Sequence, residues 1–209
     1  MSVYDSWVHG HSVLLERVGS PSVTNKAGVK RALKNQGVDI NETGDIIHLG
    51  THGAVACVRV GWASRFVVFD SGSKDKPKSG SFWCHFAIPT QIVPGLEPTQ
   101  ARQLFVNYET SNTRTLNIKR AHVWDGNRRI FADNQFVAPR LGSNAGISGR
   151  TTNRNRIPIK VPTRLYTRTL IPTPIFFGVG ISLLITARAA KGHFLEIRGL
   201  GLRFEYPDG

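Results

Sequence analysis

The sequence predicts a mainly β chain folded as an antiparallel β-sandwich, jelly-roll-like, with one short helix near residues 25–36. Three observations carry this. Short segments rich in β-branched and aromatic residues recur along the chain, bounded by Gly, Ser, Asn or Pro. The last segments alternate with period two, as a strand with one buried face requires. No regular succession of strand and helix is present, so a parallel α/β sheet is not expected.

The period-two signal is clearest at the C-terminal end. In 180–188, Ile181, Leu183, Ile185 and Ala187 share one face, and in 201–206 Leu202, Phe204 and Tyr206 alternate with Arg203 and Glu205. Further strands are expected at 3–9, 11–18, 55–60, 66–70, 104–109, 116–124 and 157–161. Trp7, Trp62, Trp83 and Trp124 lie in or beside these segments. A tryptophan in a sandwich ordinarily joins the core, and the alternative is an exposed ring that stacks on a sugar. Asp125-Gly126 reads as a hairpin turn. Thr24 or Asn25 caps the expected helix, KAGVKRALKNQ, and Gly37 ends it. Lys26, Lys30 and Lys34 fall on one face of that helix, as a solvated surface or an anion-binding ridge. Ile88-Pro89-Thr90 and Ile171-Pro172-Thr173 echo one another. Proline in a strand pattern belongs at an edge or bend, so the echo fits equivalent edges of two sheets.

With 209 residues, 40% of them hydrophobic, and 21 Gly and 11 Pro, the composition is globular and turn-rich. The expected organisation is one domain over 1–209, with a long basic loop at about 141–156. Cys57 and Cys84 are the two cysteines. They suit small buried hydrophobes, and a single disulfide between them stays open. The opening MSVYDSWVHGHS lacks the basic and apolar regions of a Sec signal. The most apolar run, 171–187, is interrupted by Pro and Gly and falls short of a membrane span. A soluble protein is expected, cytoplasmic or exported by a non-Sec route, without membrane insertion.

Lys and Arg number 27 against 14 Asp and Glu, a formal net charge of +13. Between Asp133 and Glu196 no acidic residue occurs, while Arg140, Arg150, Arg154, Arg156, Lys160, Arg164, Arg168, Arg188 and Lys191 do. The planar guanidinium suits phosphate, sulfate or carboxylate. Polyanion or subunit contact is therefore assigned to Lys26, Lys30, Lys34, Arg140, Arg150, Arg154, Arg156 and Lys160. Helix-turn-helix, zinc-finger and RRM signatures are missing, so any nucleic-acid contact would be to backbone phosphates.

Equipment for catalysis is poor. Asp70, Glu109 and Asp125 are not paired in sequence, and Cys84 and His85, being adjacent on a strand, point to opposite faces. Nucleophile-elbow, P-loop and dinucleotide-binding patterns are lacking. His9 and His11 share a strand face and are weak metal candidates without a third ligand at a fixed spacing. No cofactor and no enzymatic activity are expected. Trp124 beside Asp125, Asn127 and Arg128 is the best candidate for sugar contact.

Trp7-Val8-His9-Gly10, Phe82-Trp83-Cys84-His85-Phe86 running into Ile88-Pro89-Thr90, Val123-Trp124-Asp125-Gly126 and Phe177-Gly178-Val179-Gly180-Ile181-Ser182 follow one another in order. This string resembles a family of small bacterial β-sandwich proteins of unknown function, with W-x-H-G, F-H-x-x-I-P-T-P, aromatic-D-G and G-x-G-I-S motifs. The sequence departs from this pattern in two places: Gln91 replaces its second proline, and the segment at about 21–44, including the basic helix, looks like an insertion. The resemblance implies a β-sandwich and transfers no functional residue. The leading functional expectation is a non-enzymatic structural protein that assembles with copies of itself. A carbohydrate-binding module or lectin is one alternative, and a coat-like protein binding nucleic acid through backbone phosphates is the other; besides a second copy of the chain, anionic glycan and nucleic acid are the partners the basic charge suits.

Overall fold

The computed structural model describes residues 2–16, 34, 47–48, 55–68, 80–90, 98–112, 114–134, 164–187 and 193–206. Among these, twelve strands form two antiparallel sheets. The strands are β1 (Ser2–His9), β2 (Leu14–Leu15), β3 (Ile47–His48), β4 (Val55–Val60), β5 (Ala63–Val68) and β6 (Gly80–Ile88). They continue as β7 (Gln100–Thr110), β8 (Leu116–Asp125), β9 (Arg128–Asp133), β10 (Arg164–Pro174), β11 (Val179–Ala187) and β12 (Phe194–Tyr206). The seven-stranded sheet runs β10-β7-β12-β5-β4-β3, with β1 also on β12, and the five-stranded sheet runs β2-β6-β11-β8-β9. Their inner faces share one apolar cluster, so the fold is the expected sandwich.

The core follows from side-chain alternation. From β11, Ile181, Leu183 and Ile185 enter it, and Leu200, Leu202 and Phe204 face them from β12, all fully buried. The thirteen-residue β12 organises the larger sheet. One side pairs with β7 throughout. The other pairs first with β5, over Phe194–Ile197, and then with β1, over Gly199–Tyr206. Gly10 sits where the partner changes. A Cβ there would lie 1.8 Å from the Ile197 carbonyl oxygen, so this position admits no side chain.

That contact accounts for one correction. The strand expected at 11–18 does not begin at His11: Gly10–Ser12 turn as a 3-10 segment and strand resumes at Leu14–Leu15, while residues 17 and 18 lie outside the described residues. The chain must bend to seat Gly10 on the Ile197 carbonyl, and this tertiary demand overrides the local β preference. The strands predicted at 55–60 and 116–124 are β4 and β8. The helix expected near 25–36, apart from the single residue Lys34, the strand expected at 157–161 and the loop at about 141–156 lie outside the described residues.

Two hairpins turn on glycine. Gly61 and Gly126, with φ of 57° and 58°, open the two-residue turns joining β4 to β5 and β8 to β9. The Ile-Pro-Thr echo is structural. Thr90 Oγ1 donates to the Ile88 carbonyl and Thr173 Oγ1 to the Ile171 carbonyl, both at 2.8 Å. The second copy lies in β10, an edge strand, with a register shift between Thr169 and Thr173.

Cys57 of β4 and Cys84 of β6 are buried free thiols in the shared core. Among the described residues no helix is long and apolar enough to cross a membrane.

Candidate functional site

None of the four tryptophans belongs to the inter-sheet core cluster. Trp7 and Trp62 are 44% and 67% exposed on the seven-stranded sheet, and Trp83 and Trp124 are half-buried on the outer face of the other. For Trp7 the ordinary expectation fails because glycine makes room for its ring outside. A Cβ at Gly201 would approach Trp7 Cδ2 to 2.6 Å, so the indole lies flat on bare backbone. On its other side Trp7 stacks with Phe105, centroids 5.3 Å apart and planes 17° apart. The tryptophan and the glycine of the W-x-H-G motif are thus both held by β12.

The aromatic strip continues from Trp7. His9 stands 4.8 Å from Trp62 and 5.8 Å from His11, and His11 stands 5.3 Å from Trp62. The His11 backbone N–H donates to the Trp62 carbonyl at 3.1 Å, which fixes the β4–β5 hairpin tip against the turn after β1.

Around this strip the charges are matched. Arg65 Nε donates to Glu196 at 2.7 Å. Arg198 bridges Glu196 at 2.9 Å and Glu109 at 2.6 Å. Arg203 holds Asp5 through two hydrogen bonds of 2.8 Å, and Arg102 pairs with Glu205. Four guanidiniums thus meet four carboxylates. The Arg203 hydrogen bond keeps the Asp5 carboxyl below its usual range, and burial pushes the Glu109 carboxyl up while Arg198 pulls it back. Arg203 also lies over the Phe105 ring at 5.5 Å.

The outer face of the five-stranded sheet differs. Trp83 of β6, His122 and Trp124 of β8 form a row, with centroids 4.8 Å and 6.1 Å apart. The Arg129 guanidinium lies 5.9 Å from the Trp124 ring. Beside them Ser182 Oγ contacts His85 Nδ1 at 2.9 Å, and His85 Nε2 lies 3.5 Å from Glu16. By residue type these three match a nucleophile, base and acid. Ser182, however, sits mid-strand in β11, where the ladders to β6 and β8 take up the backbone N–H groups.

The predicted sugar residues do not converge. Trp124 faces outward, while Asp125, adjacent on the strand, is fully buried at the rim. Its carboxylate accepts the N–H groups of Phe176 and Phe177, at 3.1 Å and 2.8 Å, and pairs with Arg128 at 3.0 Å. Asn127 is exposed at the turn. Arg128 also donates to the Pro174 carbonyl at 2.8 Å and covers the Phe176 ring. Asp125 thereby joins the aromatic-D-G turn to the loop entering β11. His9 and His11 are brought together, but among the described residues no three His, Cys, Asp or Glu form a metal-binding group. Lys34 is exposed, whereas Lys26, Lys30, Arg140, Arg150, Arg154, Arg156 and Lys160 lie outside the described residues.

Sequence reasoning missed both aromatic faces. Trp83 with His85, and His122 with Trp124, are two apart on strands, which places each pair on one face. That signal was readable, but the strand pairing that joins the two pairs was not. In comparison with known proteins, the chain matches no protein-family model and no curated protein.

Proposed function

We propose that this chain is a non-enzymatic structural domain that assembles with copies of itself through the outer face of the seven-stranded sheet. One observation carries the reading. The most exposed tryptophans, Trp7 and Trp62, lie on a face whose four carboxylates and four guanidiniums neutralise one another, in a chain of net charge +13. Two copies repel through most of their surface. On this face the like-charge cost is absent, and large apolar rings remain to be covered. Trp and Arg are the residue types that dominate protein contacts, above all where rings enter a desolvated centre. A two-fold arrangement would set each strip against the other.

The test is native mass by size-exclusion with light scattering, at two protein concentrations and at low and high salt. The expected result is a defined oligomer that persists or strengthens in high salt, because salt screens the residual repulsion and leaves apolar contact intact. Trp62→Lys, at an exposed hairpin tip, should give a folded monomer whose thermal midpoint no longer depends on protein concentration, and Trp7→Ala should weaken assembly. A monomeric wild type at every concentration overturns the reading. So does an oligomer indifferent to both substitutions.

A further inference from the structure

We propose that the outer face of the five-stranded sheet is a second, separate site that binds an acidic polysaccharide, with Trp83 and Trp124 as sugar-stacking rings and Arg120 and Arg129 as ligands for its anionic groups.

The strands place the parts. β6 contributes Trp83, β8 contributes Arg120, His122 and Trp124, and β9 contributes Arg129, opposite Trp124 in register. A register shift opposite Leu184 and Ile185 makes Lys119 an extra residue next to Arg120, so two exposed cations stand side by side. Along β8 and β9 the acidic groups are withdrawn: Asp125 is fully buried in its rim contacts and Asp133 is 9% exposed, whereas Glu16, half exposed, stands at the β2 edge against His85. The exposed charge along β8 and β9 is thus positive, in contrast to the balanced face on the other sheet, and complements an anionic chain.

Between the cations the hydrogen-bonding groups are uncharged. His122 lies between the two indoles and contacts Asn134 Oδ1 at 3.3 Å. Burial holds its imidazole below the usual range, against the Asn134 contact, and Arg129 and Arg120 lower it further. It is therefore a neutral donor and acceptor at pH 7. Ser182 stands opposite it on β11, and Thr186 bonds Asn117 farther along the same face. His122 and Ser182, each 6% exposed, form the floor between the indoles, and half-buried Asn117 and Thr186 bring amide and hydroxyl chemistry that matches sugar hydroxyls. The Trp124 indole N–H is buried with no acceptor. Ring planes at 42° and 64° to one another do not offer the succession of parallel platforms that stacked bases require, which favours a glycan over a nucleic-acid strand. Arginine, with its planar fork, fits carboxylate and sulfate alike.

The test is affinity electrophoresis or calorimetry with polygalacturonate, dextran sulfate, neutral dextran and single-stranded oligothymidylate as probes. Wild type should bind polygalacturonate or dextran sulfate and ignore neutral dextran, and whichever binds more tightly names the anionic group. Arg120→Glu/Arg129→Glu should weaken binding at least about tenfold, with an unchanged thermal midpoint and oligomeric state. Arg59→Glu/Arg114→Glu, which changes net charge equally at exposed positions on β4 and in the turn before β8, should weaken it less than about threefold. Trp83→Ala should weaken the binding that survives at high salt. Equal losses from the two charge reversals would reduce the effect to general attraction and overturn the site. Oligothymidylate binding as tightly as either glycan, or no binding to either glycan, would overturn it as well.

Discussion

The Asp125 carboxylate accepts the backbone N–H of Phe177 at 2.8 Å, tying the turn after β8 to the loop before β11 across 52 residues of sequence. Gly126 N–H adds a bond to the Gly178 carbonyl at 2.9 Å. Asp125 is fully buried, so its charge is acceptable only because Phe176, Phe177 and Arg128 surround it. Asp125→Ala should cost about 2 kcal/mol in urea unfolding, since it leaves the part-buried Phe176 and Phe177 N–H donors without their acceptor. Asp125→Asn, which keeps one acceptor, should cost less. A loss below about 0.5 kcal/mol for the alanine variant would show that the rim does not depend on this carboxylate.

Trp7 and Gly201 are a matched pair. Alanine at 201 would place its Cβ 2.6 Å from Trp7 Cδ2 and 2.8 Å from the Ser6 carbonyl oxygen, so ring and backbone must both give. Gly201→Ala should destabilise by about 2 kcal/mol. It should also shift tryptophan emission as Trp7 lifts from the sheet, and weaken assembly. Gly61→Ala meets no neighbouring atom and carries only the penalty of its φ of 57°. That penalty is about 1 kcal/mol, and Trp7 is untouched. Equal effects of the two substitutions on emission would contradict this geometry.

The sandwich was legible wherever a strand keeps its phase. β11 alternates without interruption against β6, and the segment predicted at 180–188 is Val179–Ala187. In β12 the register shifts between Ile197 and Gly199, so the inward set changes from Leu195 and Ile197 to Leu200, Leu202 and Phe204. Period two breaks there, which is why the pattern points to a start at Gly201 although the strand begins at Phe194. β9 and β10 were hidden by Arg128 and Arg129, and by Pro172 and Pro174, residues that an edge strand tolerates. The sites were less legible than the fold. The nearness of Trp7 to Trp62 depends on β12 changing partner from β5 to β1, and no local spacing encodes that.

The cysteines should be silent in the folded protein. Burial pushes the Cys57 thiol up to about 12, against the opposing pulls of Ser64 and Arg59. Burial raises Cys84 well above its usual value, and nearby Cys57 adds to this. Because the thiolate is the reactive form, Ellman's reagent at about pH 8 should label neither native thiol, and both once denaturant is added. Cys84→Ser, which puts a hydroxyl into the apolar core, should cost about 2 kcal/mol. Rapid labelling of native protein would mean that the two sheets open on the timescale of the reaction.

His122 should make stability fall in mild acid. Burial holds its imidazole below the ordinary 6.5, Asn134 opposes this, and Arg129 and Arg120 reinforce it. Trp83 and Trp124 flank the ring. Ser182 and Ala132 face it in register from β11 and β9, and His85 lies beyond Ser182 on β6. An unfolded chain takes up this proton near pH 6.5 and the folded chain only lower, so between those values the unfolded form binds more protons. Stability must then decrease as pH falls through that window, and above it the residue contributes no slope. The thermal midpoint of wild type should therefore drop from about pH 7.5 to about pH 5.5 more steeply than that of His122→Gln, which keeps hydrogen-bonding capacity without a titrating ring. The difference between the two profiles isolates His122 from the other histidines and from the carboxylates. Parallel profiles would show that the imidazole titrates alike in folded and unfolded chains, and that the two indoles and two guanidiniums around it exert no net effect on its proton.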